Sequence, residues 1–149
     1  MTIALWPLDK KLRTKLNGEE FDFPMFVWGR LWAIFSSFGA DLLTEQQLKR
    51  NIMPGSIPKD EHHHISAQHV QEILRRIDAS IAAGTFEKDF AHAWEDGESG
   101  IRGLGAATKS YWPRFLEFAR TLGIKGFRFR VESGARRGMV GLGGFEPPD

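Results

Sequence analysis

The sequence predicts a mainly helical α+β fold, with four or five helices packed round one buried helix and a small antiparallel sheet built from the N- and C-terminal strands. Three observations predict it. Apolar residues recur at helical spacing in separate stretches, and the first of these, over 26–38, is apolar almost all round. Alternation with a period of two marks the two ends, at Ile3 and Leu5 and again at Phe127, Phe129 and Val131. The 149 residues suit one domain, and 42% hydrophobic with 26% charged residues is the make-up of a chain that buries a core.

Taken in order, Thr2 to Trp6 reads as a short strand ahead of a basic turn over Lys10–Lys15. Phe21 and Phe23 flank Asp22 at strand spacing, and Pro24 stands where a helix accepts it, in the first turn. Val27, Leu31, Ile34, Phe35 and Phe38 form the stripe of the central helix, which Phe26, Trp28 and Trp32 widen until it ends near Gly39. Thr44 and Gln47 make a capping box for a short helix from Glu45 to about Asn51. Pro54, Gly55 and Pro58 then mark a loop. Ser66 is the expected cap of the next helix, with Ile65 and Val70 as a hydrophobic staple. The stripe of that helix is Val70, Ile73, Leu74, Ile77 and Ile81, closed by Gly84. Thr85 is positioned to cap a helix that turns Phe86, Phe90, Ala91 and Trp94 inward. Residues 95–109, with four glycines and no apolar period, read as an exposed loop. Pro113 opens the last helix, which shows Phe115, Phe118, Ala119 and Leu122 on one face and ends at Gly123. Arg128 and Arg130 alternate with the rings of the final strand and point outward. We read 1–132 as one globular domain and 133–149, rich in Gly, Arg and Pro, as a disordered tail.

Composition removes several function classes. There is no cysteine, so disulfides, thiolate nucleophiles and cysteine-ligated metal centres are excluded. Five Trp and twelve Phe against one Tyr favour a dry aromatic core over a polar binding face. The longest apolar run, 31–40, is about half of the ~20 residues a membrane span needs. No membrane partner is expected. The basic residues after the short apolar start reverse the order found in a signal peptide, so the expected compartment is the cytoplasm.

Three constellations carry possible chemistry. His62, His64 and His69 are placed to converge on Zn or Ni, although their spacing follows no established ligand pattern; apart from this metal, no cofactor is expected. The basic clusters of Lys10, Lys11 and Arg13 and of Lys125, Arg128 and Arg130 have the make-up of a nucleic-acid surface, tempered by a net charge of only +1. Trp6, Trp94 and Trp112 are the rings least explained by helical stripes, and an exposed pair among them would serve as a protein-docking patch. The other patterns fail on chemistry. Gly103–Ser110 has Thr108 where a P-loop needs Gly, and no strand precedes it. Glu95, Asp96, Glu98 and His92 read as a solvated helix end, not acid–base machinery, and no Ser lies in a nucleophile elbow.

The Phe-x-Phe-Pro run at 21–24, Trp28 and Trp32, the Ile65-Ser66 helix start and the Phe115-x-x-Phe118 helix leading to Gly126-Phe127 resemble a family of small uncharacterised bacterial proteins. The likeness spans about residues 18–131 and implies a shared fold without an assigned reaction. The tail Gly143-Gly144-Phe145-Glu146-Pro147-Pro148 matches a translated tRNA T-arm consensus, in which TTC-GAA-CC reads Phe-Glu-Pro. Such genes are insertion points for mobile elements. The leading expectation is therefore a non-enzymatic protein-binding module, of the immunity, inhibitor or accessory kind carried by a mobile element. A nucleic-acid-binding regulator and a histidine-dependent metal protein follow.

Overall fold

A computed structural model describes residues 2–8, 15–16, 19–20, 22–48 and 64–132. The element order is β1 (Thr2–Pro7), β2 (Lys15–Leu16), β3 (Glu19–Glu20), β4 (Asp22–Pro24), α1 (Met25–Ser37), α2 (Glu45–Leu48), β5 (His64–Ser66), α3 (Ala67–Ala82), α4 (Phe86–Asp89), a 3-10 turn (Ala91–Trp94), α5 (Leu104–Arg120) and β6 (Gly126–Glu132). This is an α+β fold, as the sequence predicts. The terminal strands β1 and β6 pair antiparallel at the centre of a four-stranded sheet ordered β4-β1-β6-β5. The tail over 133–149, the Pro54–Pro58 loop and most of the Lys10–Lys15 turn lie outside the described residues.

Register sorts the strand residues into two faces. Phe23 pairs with Ile3, Leu5 with Phe129, and Phe127 with both Pro7 and Ile65, so one face is apolar. On the other, Asp22, Ala4 and Arg130 form one row and Trp6, Arg128 and His64 the next. The apolar face receives the helices: Phe129 lies 5.1 Å from Trp28 and 4.9 Å from Trp32, ring centre to ring centre, and Trp28 stacks on Trp32 at 5.8 Å. Phe115 brings α5 into the same cluster, 5.5 Å from Trp28 and 5.2 Å from Phe35. Among the described residues the Phe and Trp rings other than Phe26 chiefly make an interior, as the imbalance against Tyr predicts.

The local signals operate as written in the chain. Thr44 and Gln47 form both bonds of the capping box, at 2.8 and 3.1 Å. Gln47 does more, since its backbone oxygen accepts from the Trp32 indole at 2.6 Å and its amide nitrogen donates to the His64 carbonyl at 2.7 Å. One residue joins α1, α2 and β5. Ser66 caps α3 by accepting from the His69 backbone N–H, and Ile65 and Val70 are fully buried as the staple requires. Gly84 takes a left-handed φ of 75° just past α3. At the other end of α1, Arg76 of α3 donates to the Phe38 carbonyl and to Asp41 and Glu72, closing that helix with a cation.

Several expectations are corrected. Phe26 and Ile81 do not join the core stripes; they are 47% and 46% exposed, because each sits at the margin of a helix whose buried side the sheet and neighbouring helices already fill. Thr85 makes no side-chain cap, and its hydroxyl instead bonds back to the Ser80 carbonyl. The helix expected after it breaks at Phe90 into α4 and the 3-10 turn, which rotates Ala93 inward and leaves Ala91 exposed. Residues 104–109 are helix, not loop, and Pro113 lies inside α5 instead of opening it. The proline loses one helical hydrogen bond. Burial of Leu104, Thr108, Trp112, Phe115, Leu116, Phe118 and Ala119 on the same helix offsets that loss. Strand β5 is too short, at three residues, to show an alternation in the sequence.

Candidate functional site

The three sequence-derived constellations fare differently in three dimensions. His64 lies on β5 and His69 in the first turn of α3, while His62 is outside the described residues. Among the described residues no three His, Cys, Asp or Glu side chains gather as metal ligands. A depression of about 590 Å³ beside His69 is lined by Leu42, Gln68, Gln71, Glu72 and Arg75. Its two charges bond each other at 2.5 Å, which leaves no uncompensated charge to hold an ion.

Of the basic residues, Lys10, Lys11 and Arg13 are outside the described set, Lys125 is exposed, and Arg128 is half-buried between Trp6 and His64 with its Nε enclosed. Arg130 shares its row of the sheet with Asp22, so this face is not uniformly basic. The tryptophan patch is corrected. Trp6 is 7% and Trp112 6% exposed and Trp94 is half-buried, so no exposed pair forms. Trp112 stacks on Phe86 at 5.6 Å, which explains a ring that the stripe of α5 left unassigned.

Among the described residues, the outer side of α1 is left open. Residues 26, 29, 30, 33 and 37 share one face by helical spacing, and they are Phe26, Gly29, Arg30, Ala33 and Ser37. Arg30 is the one ionisable residue of this helix. Its guanidinium is turned aside, donating to the carbonyls of Ala93 and Asp96 at 3.1 Å each and to that of Glu95. A Cβ on Gly29 would meet nothing within 4 Å. Between this face and the 90–93 segment lies a groove of about 270 Å³ lined by Arg30, Ala33, Ile34, Ser37, Phe90, His92 and Ala93. The Ser37 hydroxyl is also occupied, donating to the Ile34 carbonyl at 2.7 Å.

The far wall of the groove is held by Asp96. Its carboxylate accepts from the backbone N–H groups of Gly103 and Gly105, both at 2.8 Å, and so caps α5 from seven to nine residues upstream. A Cβ at Gly105 would come within 2.5 Å of the Glu95 backbone, so glycine lets the helix start seat directly against this segment. The bonds from Gly105 and Gly103, with smaller help from Arg30 and Arg102, hold the Asp96 carboxyl below its usual range. Glu72 is held down to about 2 by Arg75 and Arg76. For both groups the folded pKa lies under the unfolded one, so their stabilisation is complete above the ordinary carboxylate range and is lost as pH falls through it. Urea midpoints of wild type and Asp96→Asn should therefore differ more at pH 7 than at pH 3. An equal difference at the two pH values would show that the charge on Asp96 is not what holds the helix start.

Against this geometry stands a plain result of comparison. No family model, curated protein or solved structure matches the chain. The candidate surface accordingly rests on its own physical chemistry. Sequence reasoning placed Phe26 in the core and passed over Arg30. The signal was present: a single charge in an otherwise apolar helix marks the side that faces water, and Phe26, Ala33 and Ser37 lie on the same side.

Proposed function

We propose that this chain is a non-enzymatic protein-binding module and that it docks its partner on the outer face of α1. One observation carries the reading: the most apolar helix of the fold leaves a 47%-exposed Phe26 on a face with Gly29 and Ala33, and its only charge is bound to the carbonyls at 93, 95 and 96. A large ring among small neighbours, next to a groove with its Arg and Ser hydrogen-bonded internally, is the arrangement of an interface anchor. The 270 Å³ groove falls below the roughly 300–1,000 Å³ usual for small-molecule sites. Reading the tail as the run into a tRNA gene places such a module among the accessory or immunity-type proteins of mobile elements.

The test is recovery of tagged chain from its native host beside the Phe26→Ser and Gly29→Gln variants. Neither substitution touches a core contact, and replacing Gly29 also raises helix propensity. The expected result is a stoichiometric protein partner bound by wild type and weakened in both variants, by about 2 kcal/mol or more for loss of the anchor ring. A partner retained equally by both variants, or recovery of nucleic acid alone, would overturn the proposal.

A further inference from the structure

The groove also indicates what kind of partner segment it takes. Resting on the docking reading above, we infer that it receives one apolar side chain from a basic, amphipathic helical segment of the partner. The first argument is the floor. Ala33, Ile34, Phe90 and Ala93 are apolar, the Arg30 and Ser37 groups are already hydrogen-bonded within the chain, and His92 is the remaining polar side chain of the lining, at its exposed edge. A polar anchor would give up its water for few partners, whereas an apolar one gives up nothing. The volume of about 270 Å³ accommodates a single large side chain.

The second argument is charge. The segment that makes the far wall carries exposed Glu87, Asp89, Glu95 and Glu98, with Asp96 half-buried behind them. Against these five carboxylates stand Lys88 on the same segment, Arg102 beyond it and Arg30 in the groove. Among these described residues the balance is net negative, in a chain whose overall charge is +1. Opposite charge on the partner would speed and orient docking, while an acidic partner would be repelled. The third argument is shape. From Phe26 to Ser37 the open face runs along about three helical turns, and Gly29 and Ala33 let another backbone approach closely. A straight partner helix of similar length matches it.

The probe is a fluorescent Leu/Lys amphipathic helix of roughly five turns and its Leu/Glu twin, titrated by anisotropy onto the full chain. The expected result is binding of the lysine peptide about ten-fold or more tighter at low salt, with the ratio shrinking as salt rises. Gly29→Gln should weaken the lysine peptide by a similar factor, and Glu87→Lys with Asp89→Lys should bring the two peptides together. Far-UV spectra and thermal midpoints of each variant verify that the fold is kept. Equal binding of both peptides, lost alike in Gly29→Gln, would overturn the basic-partner inference and leave the docking face standing. A lysine preference indifferent to Gly29→Gln places binding elsewhere and overturns the inference. Self-association of the chain that Phe26→Ser abolishes would assign the groove to a second copy and overturn it as well. If neither peptide binds, the inference fails; the docking reading fails with it only where the host partner is also retained by Phe26→Ser and Gly29→Gln.

Discussion

Phe115→Ala is expected to lower stability by about 3–5 kcal/mol, the cost of truncating a fully buried ring. Phe115 is where the layers meet. Its ring lies 5.9 Å from Phe23 of β4, 5.5 and 5.2 Å from Trp28 and Phe35 of α1, 6.0 Å from Trp112 and 6.2 Å from Phe127 of β6. The surrounding rings belong to four elements, β4, α1, α5 and β6, so the site has little freedom to collapse into the void. A domain of this size has about 5–15 kcal/mol in total, so the variant should sit near its folding limit at 37 °C. Urea titration followed by tryptophan fluorescence reads the shift in midpoint. A midpoint within error of wild type would mean that the aromatic cluster is not the centre of the fold.

Gly126→Ala is expected to cost about 3 kcal/mol, from two independent sources. The residue has a φ of +95°, a region that side chains with a Cβ avoid by roughly 1–2 kcal/mol. A Cβ there would also stand 2.6 Å from Leu8 Cδ1, 2.8 Å from the Ile65 carbonyl oxygen and 3.0 Å from the Ala67 nitrogen. Two of those atoms are backbone at the β5–α3 junction, so relief requires moving β5 away from β6 and not a simple rotamer change. Gly100→Ala is the control, because φ there is +78° but nothing lies within 4 Å. It should cost only about the backbone share, near 1 kcal/mol. Equal losses at the two positions would refute the close-approach argument.

The candidate surface shows where reading by periodicity stops. A helix that is apolar on one stripe states its own orientation, and α3 does so: Val70, Ile73, Leu74 and Ile77 are all buried as spaced. Helix α1 is apolar nearly all round, so its spacing alone does not say which side the sheet covers, and Phe26 reads no differently from its buried neighbours. The 95–109 stretch failed for a different reason. Its helix start depends on Asp96, seven and nine residues before the amides it caps, and no local pattern announces a cap from that distance. Leu104, Thr108 and Trp112 at four-residue spacing were the available sign that α5 begins before Pro113.

By itself the sequence determined the α+β class, the terminal strands, the stripe of α3 from Val70 to Ile77, the capping box at Thr44 and Gln47 and the greater part of the aromatic interior. Those depend on neighbours a few residues apart or on overall composition, both of which a linear reading contains. Only the tertiary structure decided that Trp6 and Trp112 are buried, that β5 joins the sheet, that Arg30 is drawn onto the carbonyls at 93, 95 and 96, and that Phe26 is left in the open. Each of these is settled by contacts between residues tens of positions apart. Such contacts form because burying one face of a helix leaves the other to solvent, and the choice between faces belongs to the packing of the whole chain.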